Sequence, residues 1–254
     1  MEDPAAFAEL PPRRVAQYGP AIVADVVASM APTWQPYPDP PSAAAFGIHF
    51  GNSIAGRRSA AALINRMYRW RGYGDKHFLE PHAGHLTLNA SSAQTLLATV
   101  TLRVDSAAGL LADDTFGDAI DGYRRAGARV CEVTRLALDP LAHTRLALGS
   151  LFHILYIHAR KSHLCSDAFI EVHPRHRRFY EHMLGFRHVA GRRHNLRVDA
   201  PAHLLHIDLE FMGAQIARFG GTGAGHQHAR RSLYPYFFGP AEEANIAAVL
   251  ASMV

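Results

Sequence analysis

The segment 129–172 constrains the fold most. "RVCEVTRLALD" (129–139) is apolar on both faces apart from Glu132, Thr134 and Arg135, the mark of a strand covered on two sides. After it, residues 141–164 carry Leu148, Leu151, Phe152, Leu155, Tyr156 and Ala159 at three- and four-residue steps, an apolar helical stripe. "DAFIEV" (167–172) then reads as a second strand. A strand, a long helix and another strand in that order make a crossover connection within one sheet.

The flanking segments add hairpins. "AAFGIHFG" alternates Phe46, Ile48 and Phe50 as a strand does, and Leu63, Ile64, Met67 and Tyr68 recur at helical spacing up to Gly72 or Gly74. "HLTLN" (85–89) and "TLLATVTLRVD" (95–105) follow; in the second, Val100, Leu102 and Val104 share one face, and Thr99, Thr101 and Arg103 the other. A helical or irregular stretch holds Phe116. Beyond 172, "HPRHRRFYEHMLGFRHV" reads as a turn at Pro174, a short helix and a strand; "HLLHIDLEF" is a strand running into helix, and "GPAEEANIAAVLASM" a proline-started helix. The expected fold class is α+β, with a mixed, mostly antiparallel central sheet flanked by helices. Residues 20–30 have a helical apolar face and 31–41 are proline-rich, so 1–41 reads as an amino-terminal helix and linker and 42–254 as the main domain.

Composition closes several function classes. Hydrophobic residues at 48% supply a core, and no apolar run reaches the roughly eighteen residues of a membrane span. The acidic-then-basic start lacks the pattern of a secretory leader, and Cys131 and Cys165 sit in apolar runs as small hydrophobes, so a cytoplasmic protein is expected. The formal charge of +4 comes mostly from arginine, in clusters such as Arg66/Arg69/Arg71 and Arg175/Arg177/Arg178. A basic face attracts nucleic acid, anionic lipid or an acidic protein, but the chain carries no helix-turn-helix, zinc or aromatic RNA-reading pattern. No nucleic-acid partner is expected.

Chemistry concentrates in "CEVTRLAL". A carboxylate and a guanidinium inside an apolar strand are costly to bury without partners. Glu132 and Arg135, three apart, face opposite ways in a regular strand, and a bulge between them would bring them closer. A buried ion pair and a catalytic role both fit, with Arg103 as a further partner or as a bidentate carboxylate binder. Tyr180 fits either packing or protonation of a leaving group. Among 17 histidines, His173 at its strand end is a candidate proton carrier. His158 and His163, five apart on a helix, are expected to point in different directions, and the chain lacks HExxH or any tight Cys/His cluster, so no metal is expected. "GGTGAG" (220–225) meets neither nucleotide-loop spacing and reads as a surface loop.

Taken together, "RVCEVTRLALDP", the apolar helix, "DAFIEVHPRHRRFYEHMLGFRHV" and "RSLYPYFFGPAEEANIA" resemble the bacterial N-acyl amino acid synthases, a branch of the GNAT-type acyltransferases related to the autoinducer synthases. The resemblance covers about residues 45–250. It rests on Arg103, Phe116 and Glu132-x-x-Arg135 in that order, and on "FYEHMLGF", which GNAT folds share widely. It implies transfer of a long acyl chain from the phosphopantetheine thioester of acyl carrier protein to the α-amine of an amino acid. Glu132 would be the base and the backbone at Arg135–Leu136 the oxyanion donor. Arg103, Phe116, Thr134, His173 and Tyr180 would line the substrate site, Arg103 or Arg135 would take the acceptor's carboxylate, and apolar side chains would enclose an acyl tunnel. No bound cofactor is implied. CoA-dependent relatives hold the pyrophosphate on an Arg/Gln-x-x-Gly-x-Gly/Ala turn; here "DPLAHTRLALGS" has the single glycine Gly149, so a carrier protein is the expected donor. The alternatives are a GNAT-type enzyme with another amine acceptor or an acyl-CoA donor, and a non-catalytic acyl or carrier-protein binding module.

Overall fold

The computed structural model describes residues 14–17, 46–82, 84–92, 95–139 and 145–252; the helix and linker read at 20–41 lie outside them. The elements run β1 (Arg14–Gln17), β2 (Gly47–Phe50), α1 (Ile54–Trp70), β3 (His85–Ser92), β4 (Thr95–Val104), α2 (Asp113–Arg125), β5 (Val130–Leu138), α3 (Arg145–Ile157), β6 (Asp167–Val172), α4 (Arg177–Leu184), β7 (Arg187–Asn195), β8 (Ala200–Asp208), α5 (Leu209–Phe219) and α6 (Pro240–Ala251). Eight strands form one sheet in the order β1-β2-β3-β4-β5-β6-β8-β7. Every pairing is antiparallel except β5 with β6, the two strands joined by the α3 crossover. The expected α+β architecture is what the chain adopts. The short β1 lies within the segment read as preceding the domain and pairs with β2.

The sheet has two different faces because its strands alternate. Val100, Leu102, Cys131, Ala168, Ile170, Leu205 and Ile207 point to one side and pack with α3, α4, α5 and α6 in the main core. On the other side α2 buries Phe116 and Ile120 against Val130, Phe169 and Leu204, and α1 buries Leu63, Ile64 and Met67 against Ala137 and Leu79. Beneath α1 the sheet is polar yet satisfied: the Thr87 and Thr101 hydroxyls lie 3.0 Å apart, Thr99 donates to Asn89 Oδ1 at 2.8 Å, and Asn89 donates to the Gly56 carbonyl at 3.0 Å. Paired polar groups of this kind avoid the penalty of burial alone.

Two local devices shape the crossover region. A π-helical turn (His158–Ser162) extends α3 and corrects the expectation for His158 and His163. A π turn is wider than an α turn, its hydrogen bonds running from i to i+5, and here the Nε2 atoms of His158 and His163 meet at 3.1 Å. In "FYEHMLGF", Gly185 ends α4 with φ of 82°; its N–H donates to Glu181 and that of Phe186 to the Tyr180 carbonyl, which returns Phe186 to the core. A Cβ on Gly185 would stand 2.7 Å from Phe211 Cε1. Gly185→Ala is therefore expected to cost about 2 kcal/mol from left-handed strain and displacement of Phe211, read as a shifted urea midpoint with unchanged slope.

Candidate active site

The sheet opens beside β5. Strands β5 and β6 pair over three positions only, Val130↔Asp167, Cys131↔Ala168 and Glu132↔Phe169, and beyond them the ladder stops. Val133, Thr134, Arg135 and Leu136 are consequently half-buried in a strand whose earlier residues Val130, Cys131 and Glu132 are enclosed. On its other edge β5 carries a bulge: Thr101 faces Thr134 and Thr99 faces Ala137, so three steps on β5 match two on β4. The extra residue is accommodated where Arg135 turns to φ of 55°, a conformation that costs a non-glycine residue about 1–2 kcal/mol. Arg135→Gly should accordingly be about 1 kcal/mol more stable than Arg135→Ala, measured by chemical denaturation; equal stabilities would mean the strain is not held in solution.

Glu132 lies at the closed end of this gap, 1% exposed. Its Oε2 accepts from the Leu111 N–H at 2.7 Å and the Ala112 N–H at 3.3 Å, just before α2 begins. The buried ion pair that the sequence allowed with Arg103 or Arg135 is not formed, although Arg103 is its register partner on β4. Burial pushes the Glu132 carboxyl up to about 7; the Leu111 hydrogen bond and the Arg197 charge oppose this, and Glu171 adds to it. A carboxyl in that range exchanges protons near neutral pH, as a general base must.

The remaining sequence candidates divide. Arg135 is half-buried, its guanidinium pushed down by burial while Tyr68 and Glu132 oppose the shift, and no hydrogen bond or ion pair holds it among the described residues. Arg103 buries an Nε without a hydrogen-bond partner, and among the described residues its one side-chain hydrogen bond is a long 3.4 Å donation to the Ala108 carbonyl. Thr134 and Leu136 flank the bulge on the open part of β5. His173 follows β6, accepts from the Arg175 N–H at 3.2 Å through Nδ1, and is pushed down mainly by burial. Tyr180 packs against Phe152 on the α3 side, and burial holds its phenol protonated. Phe116 stands apart: it is fully enclosed in the α2 core, under the Arg193 guanidinium at 5.1 Å.

Several groups escaped the sequence reading. Tyr68, from α1 on one face of the sheet, packs edge to face on Tyr73 and His77, and its charge opposes the ionisation of Tyr180, from α4 on the other face. Burial pushes Tyr68 up to about 12 against the pull of Arg135 and Arg71. Arg197, in the β7–β8 turn, donates to the Leu111 carbonyl, to Asp114 at 2.7 Å and to Glu171 at 3.1 Å. It thereby clamps the loop that holds Glu132. Glu171 offered the same signal as Glu132, a carboxylate in an apolar strand, whereas nothing local marks Arg197 or Tyr68.

One cavity lies on each side of the sheet. A cleft of about 300 Å³ on the α1 side is lined by Asn52, Arg57, Glu80, Pro81, His82, His85 and Thr87. His85 is the register partner of Arg103, and burial and then the Arg103 charge push it down to about 4. On the α3 side an apolar void of about 20 Å³ lies among Leu102, Val133, Phe152, Leu155, Phe186 and Met212. Among the described residues no group of three or more His, Cys, Asp or Glu is arranged to hold a metal ion, and no helix is long and apolar enough to cross a membrane.

Comparison with known proteins fits this geometry. The family described as N-acyl amino acid synthase FeeM matches residues 59–208, more than half of the chain. No curated protein sequence matches. Among solved structures, FeeM, an N-acyl amino acid synthase from uncultured soil microbes, aligns at 21% identity over 66% of this chain and 93% of its own, with a TM-score of 0.60. The AHL synthase LasI aligns at 10% identity over 65% and 91%, TM-score 0.49. An acyl-CoA N-acyltransferase from Pseudomonas aeruginosa aligns at 14% over 63% and 97%, TM-score 0.45.

Proposed function

This chain belongs to the FeeM family of N-acyl amino acid synthases and is an N-acyltransferase, and from that premise we propose that it moves a long fatty-acyl group from acyl carrier protein to the α-amine of an amino acid. The observation that carries the reading is Glu132: a buried carboxyl near pKa 7 at the closed end of a gap in the sheet. In the ionised form it takes the proton of the acceptor's ammonium, directly or through water. The free amine attacks the thioester carbonyl, an N–C bond forms and the C–S bond breaks. A backbone N–H at the Arg135–Leu136 bulge steadies the oxyanion; the protonated Tyr180 phenol gives its proton to the departing thiolate and is reprotonated by the proton that the nitrogen sheds as the amide forms.

Binding follows the same geometry. Arg103 and Arg135, neither in an ion pair among the described residues, suit the acceptor's carboxylate, which guanidinium takes bidentately. The cleft beside His85 has room for an amino acid. The acyl chain would enter the apolar side, but a void of about 20 Å³ is far below the roughly 300 Å³ and upward of ligand pockets; Phe186 and Met212 must shift to admit it. The carrier-protein donor is supported by the single glycine in "DPLAHTRLALGS" and by the arginine clusters, which complement an acidic partner.

The test is mass spectrometry on purified protein incubated with medium- and long-chain acyl carrier proteins, or the matching acyl-CoAs, and pooled amino acids. A new N-acyl amino acid from the carrier donor, absent with Glu132→Gln, supports the reading. Product from acyl-CoA alone replaces the donor, and no product from either leaves a binding module.

A further inference from the structure

The carboxyl end of α1 builds a second basic centre outside the Glu132 gap. Gly72, at φ of 78°, turns the chain so that the Tyr73 N–H donates back to the Tyr68 carbonyl at 2.9 Å, and the two rings meet edge to face at 5.8 Å. Tyr73 thus reaches the turn after β6. There Arg175 Nη2 donates to the Tyr73 hydroxyl at 2.7 Å and its Nε to His176 Nε2 at 3.1 Å. His176 accepts as a neutral ring, pushed down to about 4 by burial and then by Arg175 and Arg71.

Arg71, the residue that ends α1, rests against the Trp70 ring at 5.4 Å. Burial and the neighbouring Arg175 charge push it below its ordinary value, and the other groups acting on it are Tyr73, Tyr68 and Tyr180, none a carboxylate. Neither Arg71 nor Arg175 enters an ion pair among the described residues. The nearby acid Asp75 is taken by Arg69 at 2.6 Å. The α1 carboxyl end offers only about half a negative charge, against two full positive ones.

We infer that Arg71 and Arg175, together with the Tyr73 hydroxyl that Arg175 engages, form a subsite for an anionic oxygen group, a carboxylate or a phosphate, carried by a substrate. Guanidinium groups take carboxylates and phosphates bidentately, and Arg175 keeps N–H groups beyond the two given to Tyr73 and His176. The subsite stands at the carboxyl end of α1, the helix that packs over β5. Its ligand is either a second acid group on the acceptor or the phosphodiester of the donor's pantetheine arm. The identity of that ligand rests on the acyl-transfer reading; the presence of the anion site does not.

Titration of the full chain carrying Trp34→Phe, so that Trp70 is its single tryptophan, with inorganic phosphate and with succinate at constant ionic strength, followed by tryptophan fluorescence, tests the site directly. Saturable binding is expected for the wild type and about tenfold weaker binding for Arg71→Gln and Arg175→Gln, with circular dichroism confirming that both variants are folded. In the transfer assay one KM should rise about tenfold at nearly constant kcat: that of an acidic acceptor if the acceptor brings the anion, that of the acyl donor if the pantetheine arm does. Unsaturable binding by the wild type, equal binding by the variants, or an unchanged pair of KM values overturns the subsite. Absence of transfer by the wild type sinks the acyl-transfer reading instead, and the anion titration then decides the subsite alone.

Discussion

Glu132→Gln is expected to lower turnover by about 10²–10⁴-fold, the usual contribution of a general base, while making the protein more stable at alkaline pH. The sign follows from the raised carboxyl. An ordinary glutamate titrates near 4.5 and Glu132 near 7, so between these values the folded state binds the extra proton and stability falls as pH rises. Above pH 7 the ionised, enclosed carboxylate has cost about 3 kcal/mol, and glutamine, isosteric and able to accept from Leu111 and Ala112 through its carbonyl, does not carry that cost. Wild type and variant should melt together near pH 4.5 and separate progressively up to pH 7, with the variant higher. The wild-type rate should rise with pH about an apparent pKa near 7, and residual activity in the variant should lack that limb. A fully active, folded Glu132→Gln would remove Glu132 from the chemistry and leave it as the anchor of the loop before α2.

Phe116→Ala should give the largest loss of stability, about 3–5 kcal/mol, or roughly 10 °C in the melting temperature for a domain of this size. The ring is fully enclosed, has nonhelical dihedrals inside α2 (φ −133°, ψ 19°), and carries the stacked Arg193 guanidinium, which also binds Asp118 and the Thr115 carbonyl. Its removal loosens α2 and the Leu111–Ala112 amides that hold Glu132, so activity should fall with stability as temperature rises. Differential scanning calorimetry beside kinetics at low temperature separates the possibilities. A loss below about 1 kcal/mol with a raised substrate KM would instead mark Phe116 as a substrate contact.

Much of this architecture was legible in the chain. The unbroken apolar strand around Glu132, the stripe of α3 and the crossover to "DAFIEV" are periodic signals of neighbouring residues, and they located the parallel pair that opens the sheet. The chain suggested a bulge only as a way to bring Glu132 and Arg135 together; the strand does bulge at Arg135, but the two side chains form no ion pair. Other features had no local trace. His158 and His163 were misjudged because α3 continues as a π turn, and π geometry depends on tertiary context. Phe116 gave one order-of-residues signal that a core ring and a substrate ring share equally.

The amino-acid sequence by itself therefore determined the element order, the α+β class and the strand that carries Glu132, since alternation and helical stripes need only residues close in the chain. Tertiary structure alone decided that β5 and β6 part after Glu132 and that Arg197 clamps the loop holding Glu132. It also decided that the Glu132 carboxyl titrates near 7. Each of these depends on strand register and on burial by segments tens of residues away, and both quantities exist only once the chain has folded.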